Sequence, residues 1–401
     1  MRVSTNTVFD LGVAALTRQQ SELLKTQQQI ATGRRIVTPS DDPVASAKVL
    51  DVTQIDSINQ QHKVNRDAAK DNLGLTDTIL KSITDLIQNV REVAISGGDA
   101  AYTNSDRLSL VTELQARFNE LLDFANSTDG KGQYLFSGYQ ATVKPFTQTA
   151  IGAQYLGDQG NRLIQISDSR QLAISAAGSE IFEKIKTGNG TFVTQANAAN
   201  TGTGVISPGS IVNSAALTGH NYQIVFTVGA TTTYDIVDTT TATTISAANA
   251  YTSGNSITFD GIQIEIEGIP ANADLFTVTP STNQSLFKTI RDLINTLSIS
   301  VSNPTTGAKL TNGLNTAVLN LDQALDTLLG QRAIVGTGLQ EVDALQSLGE
   351  DLSLQYSQTL SRLRDVDYAQ AISQLTREQT YLEAAQQSFK NIAGLSLFDY
   401  L

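Results

Sequence analysis

Two runs of this chain, one at each end, repeat the same four-three spacing. Near the start it is carried by Phe9, Val13, Leu16, Gln20, Leu23, Gln27 and Ile30, and near the end by Tyr368, Ile372, Leu375, Gln379, Leu382, Gln386, Phe389 and Ala393. A hydrophobic period of about 3.5 residues keeps one stripe of a helix turned toward a neighbour, so both runs read as seams of a coiled coil. Each seam holds two glutamines, Gln20 with Gln27 and Gln379 with Gln386. A buried amide costs stability unless another amide meets it, which fixes register, so the two ends read as partners for one another. Whatever lies between them must bring the second end back to the first.

Most of that intervening chain is helical in pattern. From Pro43 to Ser96 apolar residues recur at Ile55, Ile58, Ile79, Ile83, Leu86, Val90 and Val93. At 1.5 Å per residue this helix would span about 80 Å. Val111, Leu114, Phe118, Leu121 and Ala125 mark a third helix, Phe287, Ile290, Ile294 and Leu297 another, and Leu314 to Val342 a long one. The middle differs in kind. Between Thr187 and Phe287 there is no lysine or arginine, while Asp235, Asp238, Asp260, Glu265, Glu267 and Asp274 are all acidic. Ile262, Ile264 and Ile266 alternate with Gln263, Glu265 and Glu267, the period of a half-buried strand, and NYQIVFTV and TTTYDIV behave similarly. A disordered Thr-rich linker would lack that alternation.

The expected fold is therefore mainly α with a β-rich inserted domain, a long helical coiled-coil or bundle rod built from both termini with the β domain in the middle. Residues 1–40 and 363–401 read as the two halves of the terminal coiled coil, 41–145 and 284–362 as the two parts of the helical rod, and 146–283 as the insert.

Composition narrows the chemistry. The chain has no cysteine, which removes disulfides, thiolate metal sites and cysteine nucleophiles. Only His62 and His220 are available for metal or triad chemistry. A formal charge of −12 argues against nucleic acid or anionic lipid as partner. Neither a secretory signal nor a membrane-spanning run is legible, so the protein is expected to be soluble, with no membrane contact and no cofactor.

The stretch ATGRRIVTPSDDPV interrupts the helical pattern after Ile30. Gly33 sits where a helix end turns left-handed, Asp42 before Pro43 reads as an N-cap followed by the first helical residue, and Arg34, Arg35 and Asp41 lie between. This is an elbow. The arginines lack the glycine-rich cradle and Lys-Ser/Thr sequel of a phosphate loop. In RLRDVDYA, Asp365 and Asp367 lack a third acid or histidine nearby and read as a helix boundary. NSTDGKG lacks the spaced acids of a calcium loop, and His220 alone cannot supply a His-Glu-x-x-His helix. No enzyme activity is expected.

At the elbow, QQIATGRRIVTPSDDPVASAK (Gln28 to Lys48) resembles the N-terminal turn of flagellins and flagellar hook-associated proteins. GQYLFSGYQATVKPF, YLGDQGNRLIQI, LFTVTPSTNQSLFKTI and the terminal SLFDYL are similar to the hook-filament junction family of hook-associated protein 3, and filament flagellins generally lack them. The resemblance is silent from about Thr187 to Asp260. It implies an extracellular structural adaptor, exported through the flagellar type III channel without a cleaved signal peptide. Its implied partners are the hook-side junction protein (hook-associated protein 1), flagellin, further copies of itself in a ring, and an export chaperone on the C-terminal segment. In such proteins the termini form an inner coiled coil, the middle helices an outer bundle, and the insert projects outward. A filament-forming flagellin and an adhesin displaying a β module are the rival readings.

Two helices of this length pairing alone leave much of each face wet, and helices of about 20 residues are marginal in water. Val3 to Ile30 and Tyr368 to Leu401 are accordingly expected to fray in the free chain and to order on assembly.

Overall fold

The computed structural model of the chain describes residues 5–394. The terminal SLFDYL motif and Val3 therefore lie outside the described residues. Helices α1 (Thr5–Thr32), α2 (Pro43–Gly97) and α3 (Asn104–Ala125) precede a β-rich stretch containing the one-turn α4 (Gly178–Phe182), and α5 (Leu286–Leu297), α6 (Pro304–Arg364) and α7 (Tyr368–Gly394) follow it. The chain is thus mainly helical with a β-rich region in its middle.

Short-range chemistry starts four of the helices. Asp42 Oδ1 accepts from Ala45 N at 3.0 Å, and Pro43 opens α2 where its missing N–H is no loss. Thr103 and Asp106 form a reciprocal capping box on α3. Asn303 Oδ1 accepts from Thr306 N at 2.9 Å ahead of Pro304, and Asp367 Oδ1 accepts from Ala369 N at 3.0 Å and Gln370 N at 3.2 Å to start α7. The Asp365/Asp367 pair is therefore a helix boundary, with Asp367 as its cap.

The chain divides into two compact units. One takes residues up to Val64 and from Ala344 onward. It holds α1 and α7, which run antiparallel, together with the first part of α2 and the last part of α6. Asn59 Nδ2 donates to Gly349 O at 2.7 Å, and Gln60 Nε2 to Ser353 Oγ at 3.0 Å, tying those two segments by amides rather than by apolar burial.

The other unit, Asn65–Asp343, contains both hydrophobic cores. In the helical core Ile83, Ile87 and Val90 of α2, Leu114 and Phe118 of α3, Ile290 and Leu293 of α5 and Leu321 and Leu328 of α6 are almost fully buried. Phe118 meets Phe287 edge-on with ring centroids 5.7 Å apart, and the Arg291 guanidinium lies 4.7 Å over the Phe118 ring.

The strands are β1 (Phe146–Thr149), β2 (Gly152–Tyr155), β3 (Leu163–Ser167), β4 (Arg170–Ala173), β5 (Ile185–Lys186), β6 (Phe192–Ala196), β7 (Val205–Ile206), β8 (Ser210–Ile211), β9 (Tyr222–Val228), β10 (Thr232–Asp238), β11 (Thr243–Ala250), β12 (Ser256–Phe259), β13 (Ile262–Glu267), β14 (Leu275–Pro280) and β15 (Asn283–Gln284). The main sheet is antiparallel in the order β11-β10-β9-β14-β6, and a smaller one runs β12-β13-β7 with β8 also on β13. In β13 Ile262, Ile264 and Ile266 are buried while Glu265 and Glu267 are exposed, so the alternation in the sequence is the division between core and water. Tyr222, Ile224, Phe226 and Phe276 complete this second core.

Polar side chains of α6 hold the β region. Asn312 Oδ1 accepts from Ile206 N at 2.9 Å and its Nδ2 donates to Gly204 O at 3.0 Å; Asn320 Oδ1 accepts from Gly188 N at 2.8 Å; Lys309 Nζ donates to Ala198 O at 2.7 Å. Among the described residues no helix is long and apolar enough to cross a membrane.

Candidate functional site

The two chain ends meet along α1 and α7. Phe9 and Phe389 lie with ring centroids 5.1 Å apart at one end of the pair, and a Cβ placed on Gly33 would come within 3.0 Å of Tyr368 Oη at the other. Between these points a Cβ on Gly12 would stand 2.7 Å from the Phe389 ring, so that ring packs directly on the α1 backbone there.

The row covered by this pairing has four-three spacing, but it is not wholly the expected one. Leu16, Leu23 and Ile30 on α1, with Leu375, Leu382 and Phe389 on α7, belong to it and are half-buried. They alternate with Gly12, Gln19 and Thr26 on α1 and with Ala371, Glu378 and Ala385 on α7. Gln20, Gln27, Gln379 and Gln386, expected inside the seam, are exposed, and so are Val13 and Ile372. At Gly12, Ala371 and Ala385 the physical reason is size, since glycine and alanine leave room for the facing helix where valine or isoleucine would take it up. The side chain of Ala393 lies outside the described residues.

The displaced residues keep a common position. Each follows the small or polar member of the covered row by one residue. In an antiparallel pair, a half-turn about an axis perpendicular to the plane of the helices exchanges them and leaves the front at the front. The residues one step on from the row therefore share one flank of the pair, with Val13 level with Gln386, Gln20 with Gln379, and Gln27 with Ile372. None of the six is charged.

At the elbow both segments leave helical geometry together. Gly33 has φ +68°, and Arg34 and Asp365 form an antiparallel bridge. Arg35 N donates to Arg364 O at 2.7 Å and Val366 N to Gly33 O at 3.0 Å. Arg35 Nη2 reaches Leu363 O at 2.9 Å, its Nη1 reaches Asp42 Oδ2 at 3.3 Å, and its carbonyl accepts from Gln29 Nε2 at 2.6 Å. One arginine thus ties the end of α1, the start of α2 and the end of α6. Asp41 accepts from Val37 N and Thr38 N and pairs with Lys25 at 2.8 Å. The Lys25 bond, followed by the Thr38 N–H, holds the Asp41 carboxyl well below the usual carboxylate range. The Ala45 N–H, followed by Arg35, lowers that of Asp42. These residues stabilise a turn.

The remaining polar candidates have local roles. Asp129 accepts from Lys131 N at 2.9 Å and Gln133 N at 3.0 Å within its glycine turn. His220 Nδ1 lies 2.7 Å from Asp238 Oδ2, and Asp238 also takes the N–H groups of Thr240 and Thr241. Burial opposes ionisation of Asp238, but bonds from Thr241 and His220 prevail and bring its pKa down to about 2. Among the described residues no group of three or more His, Cys, Asp or Glu could hold a metal ion.

Comparison with known proteins follows the same lines. The model of the bacterial flagellin N-terminal helical region matches residues 3–141, and that of the flagellar hook-associated protein 1 D2-like domain matches residues 195–280. Flagellar hook-associated protein 3 of Escherichia coli (strain K12) is 27% identical over 398 residues, 99% of each chain. The crystal structure of Xanthomonas campestris FlgL superposes with a TM-score of 0.72 at 31% identity, covering 76% of this chain and 98% of that one. The chain belongs to the family of hook-associated protein 3, or FlgL. A second member, the flagellar junction protein FlgL of Legionella pneumophila, has a TM-score of 0.72 at 28% identity and covers 79% of this chain and 100% of that one. The E. coli family member matches 99% of this chain, whereas the flagellin of Listeria innocua matches 44% of it.

Proposed function

We propose that this chain is a non-enzymatic structural adaptor of the bacterial flagellum, joining the hook, through the hook-side junction protein, to the flagellin filament. The observation that carries the reading is the match to hook-associated protein 3 over 99% of each chain, in a chain whose two ends pair and leave an uncharged row of residues uncovered. In this reading copies assemble as a ring outside the cell after type III export without a cleaved signal peptide, with an export chaperone holding the C-terminal segment beforehand.

In this reading the assembly seam has two parts. Leu16, Leu23, Ile30, Leu375, Leu382 and Phe389 close the pair within one chain, and the flank of Gln20, Gln27, Ile372, Gln379 and Gln386 receives a second copy. Glutamine amides donate and accept, so identical surfaces complement one another without charges of either sign. Gly33, Arg34, Arg35, Asp41, Asp42 and Pro43 set the direction in which the pair leaves the elbow. The E. coli relative's 99% coverage of both chains favours the adaptor over a filament flagellin.

Deletion of the gene tests the role. Loss of an adaptor leaves hooks intact and sheds flagellin into the medium, and restoring the wild-type gene re-attaches filaments. Normal filaments on the deletion strain would sink the proposal.

A further inference from the structure

Glu378 is the one ionisable residue in the row that α7 turns toward α1, where its neighbours in the row are Ala371, Leu375, Leu382 and Ala385. It is only 8% exposed. One carboxylate oxygen accepts from Gln374 Nε2, one turn earlier on the same helix, at 2.8 Å. The other, Oε2, is buried and has no hydrogen-bond partner among the described residues. The contacts Phe9 to Phe389 and Gly33 to Tyr368 place it level with Gln19 and Leu23 of α1.

A carboxyl group is fully solvated when the two helices are apart and only half satisfied when they close over it. Its presence therefore raises the free energy of the paired state and leaves that of the open state unchanged. Leucine, or the alanine found one heptad away on either side, would not do this. The seam also lacks the compensation that buried carboxylates usually have, since no cation pairs with Glu378 among the described residues.

We propose that Glu378 sets the strength of the terminal pair, holding α1 and α7 close to the balance between open and closed in the free chain, so that the ends stay available for pairing with other copies. The readout is the free full-length chain, so the inference stands or falls independently of the hook-filament role.

The test is hydrogen exchange on purified monomer of wild type, Glu378→Leu and Glu378→Gln. Exchange protection of amides in both α1 and α7 should rise by about tenfold or more in Glu378→Leu, and by less in Glu378→Gln, whose amide keeps a polar group in the seam. Glu383→Gln, an exposed change on the same helix, should leave protection unchanged and separates burial from general charge reduction. Protection that falls or stays constant in both Glu378 variants, or a rise confined to α7, would overturn the proposal.

Discussion

Arg34 and Asp365 face each other as a two-residue antiparallel bridge, so the first helix of the chain and the long helix before the last both end at the same level. The bond from Val366 N to Gly33 O and that from Arg35 N to Arg364 O make the interruption a joint with two sides rather than two separate loop ends.

The joint rests on Gly33. At φ +68° an L side chain costs roughly 1–2 kcal/mol, and a Cβ would also press on Tyr368 Oη at 3.0 Å. Gly33→Ala should lower exchange protection at Arg35 and Val366, while Gly33→Asn should lose less because asparagine visits the left-handed region more readily. Equal protection in wild type and Gly33→Ala would contradict the strain argument.

Seam and flank should separate by mutation. Leu23→Ala removes a half-buried contact and should cost about 1–2 kcal/mol, less than in a closed core, lowering the helicity of the free chain by circular dichroism. Gln20→Glu should leave monomer helicity nearly unchanged yet slow self-assembly, followed by light scattering, because like charges would be brought together between copies.

How much of this was legible in the sequence depended on the range of the interaction. Asp42, Pro43 and Asp367 announced helix starts because capping is settled within a few residues, and Ile262, Ile264 and Ile266 announced a strand because the pleat has period two. Leu16, Leu23, Leu375 and Leu382 marked the helix pair. The seam's other half was hidden: Gly12, Gln19, Thr26, Ala371, Glu378 and Ala385 are small or polar, and hydrophobic periodicity passes over them in favour of Val13 and Ile372. Only the fourteen-residue spacing of small side chains, Gly12 to Thr26 and Ala371 to Ala385, could have pointed to close packing. The Arg34–Asp365 bridge and the Asn312 and Asn320 anchors join residues far apart in sequence, where no local period applies.

Acid should loosen the elbow. Asp41 and Asp42 have folded-state pKa values below their ordinary 3.8, so they favour the folded turn above about pH 4 and lose that contribution as pH falls from there through the folded values. Amide exchange at Val37, Thr38 and Ala45, corrected for intrinsic pH dependence, should show constant protection from pH 7 to 5 and a decline below 4. A decline already complete at pH 5 would assign it to other groups.

Asp274 should be a keystone of the β region. It is 2% exposed and accepts from Thr201 N, Gly202 N and Ala271 N at 2.8, 3.0 and 2.8 Å. Asp274→Ala strands three backbone donors at roughly 1–3 kcal/mol for each one left unsatisfied, so a loss on the order of 3 kcal/mol or more is expected in denaturant unfolding. Asp274→Asn, which keeps one acceptor, should fall between.

The central claim is that the two ends of one chain pair side by side and turn their glutamines to a single flank. The chain has no cysteine, so a short bis-maleimide added to the Gln20→Cys, Gln379→Cys double variant reports only that pair. A cross-link within the monomer is expected, formed much faster than in a Gln20→Cys, Ser373→Cys control. Cross-links found only between molecules, or equal rates in the two variants, would contradict it.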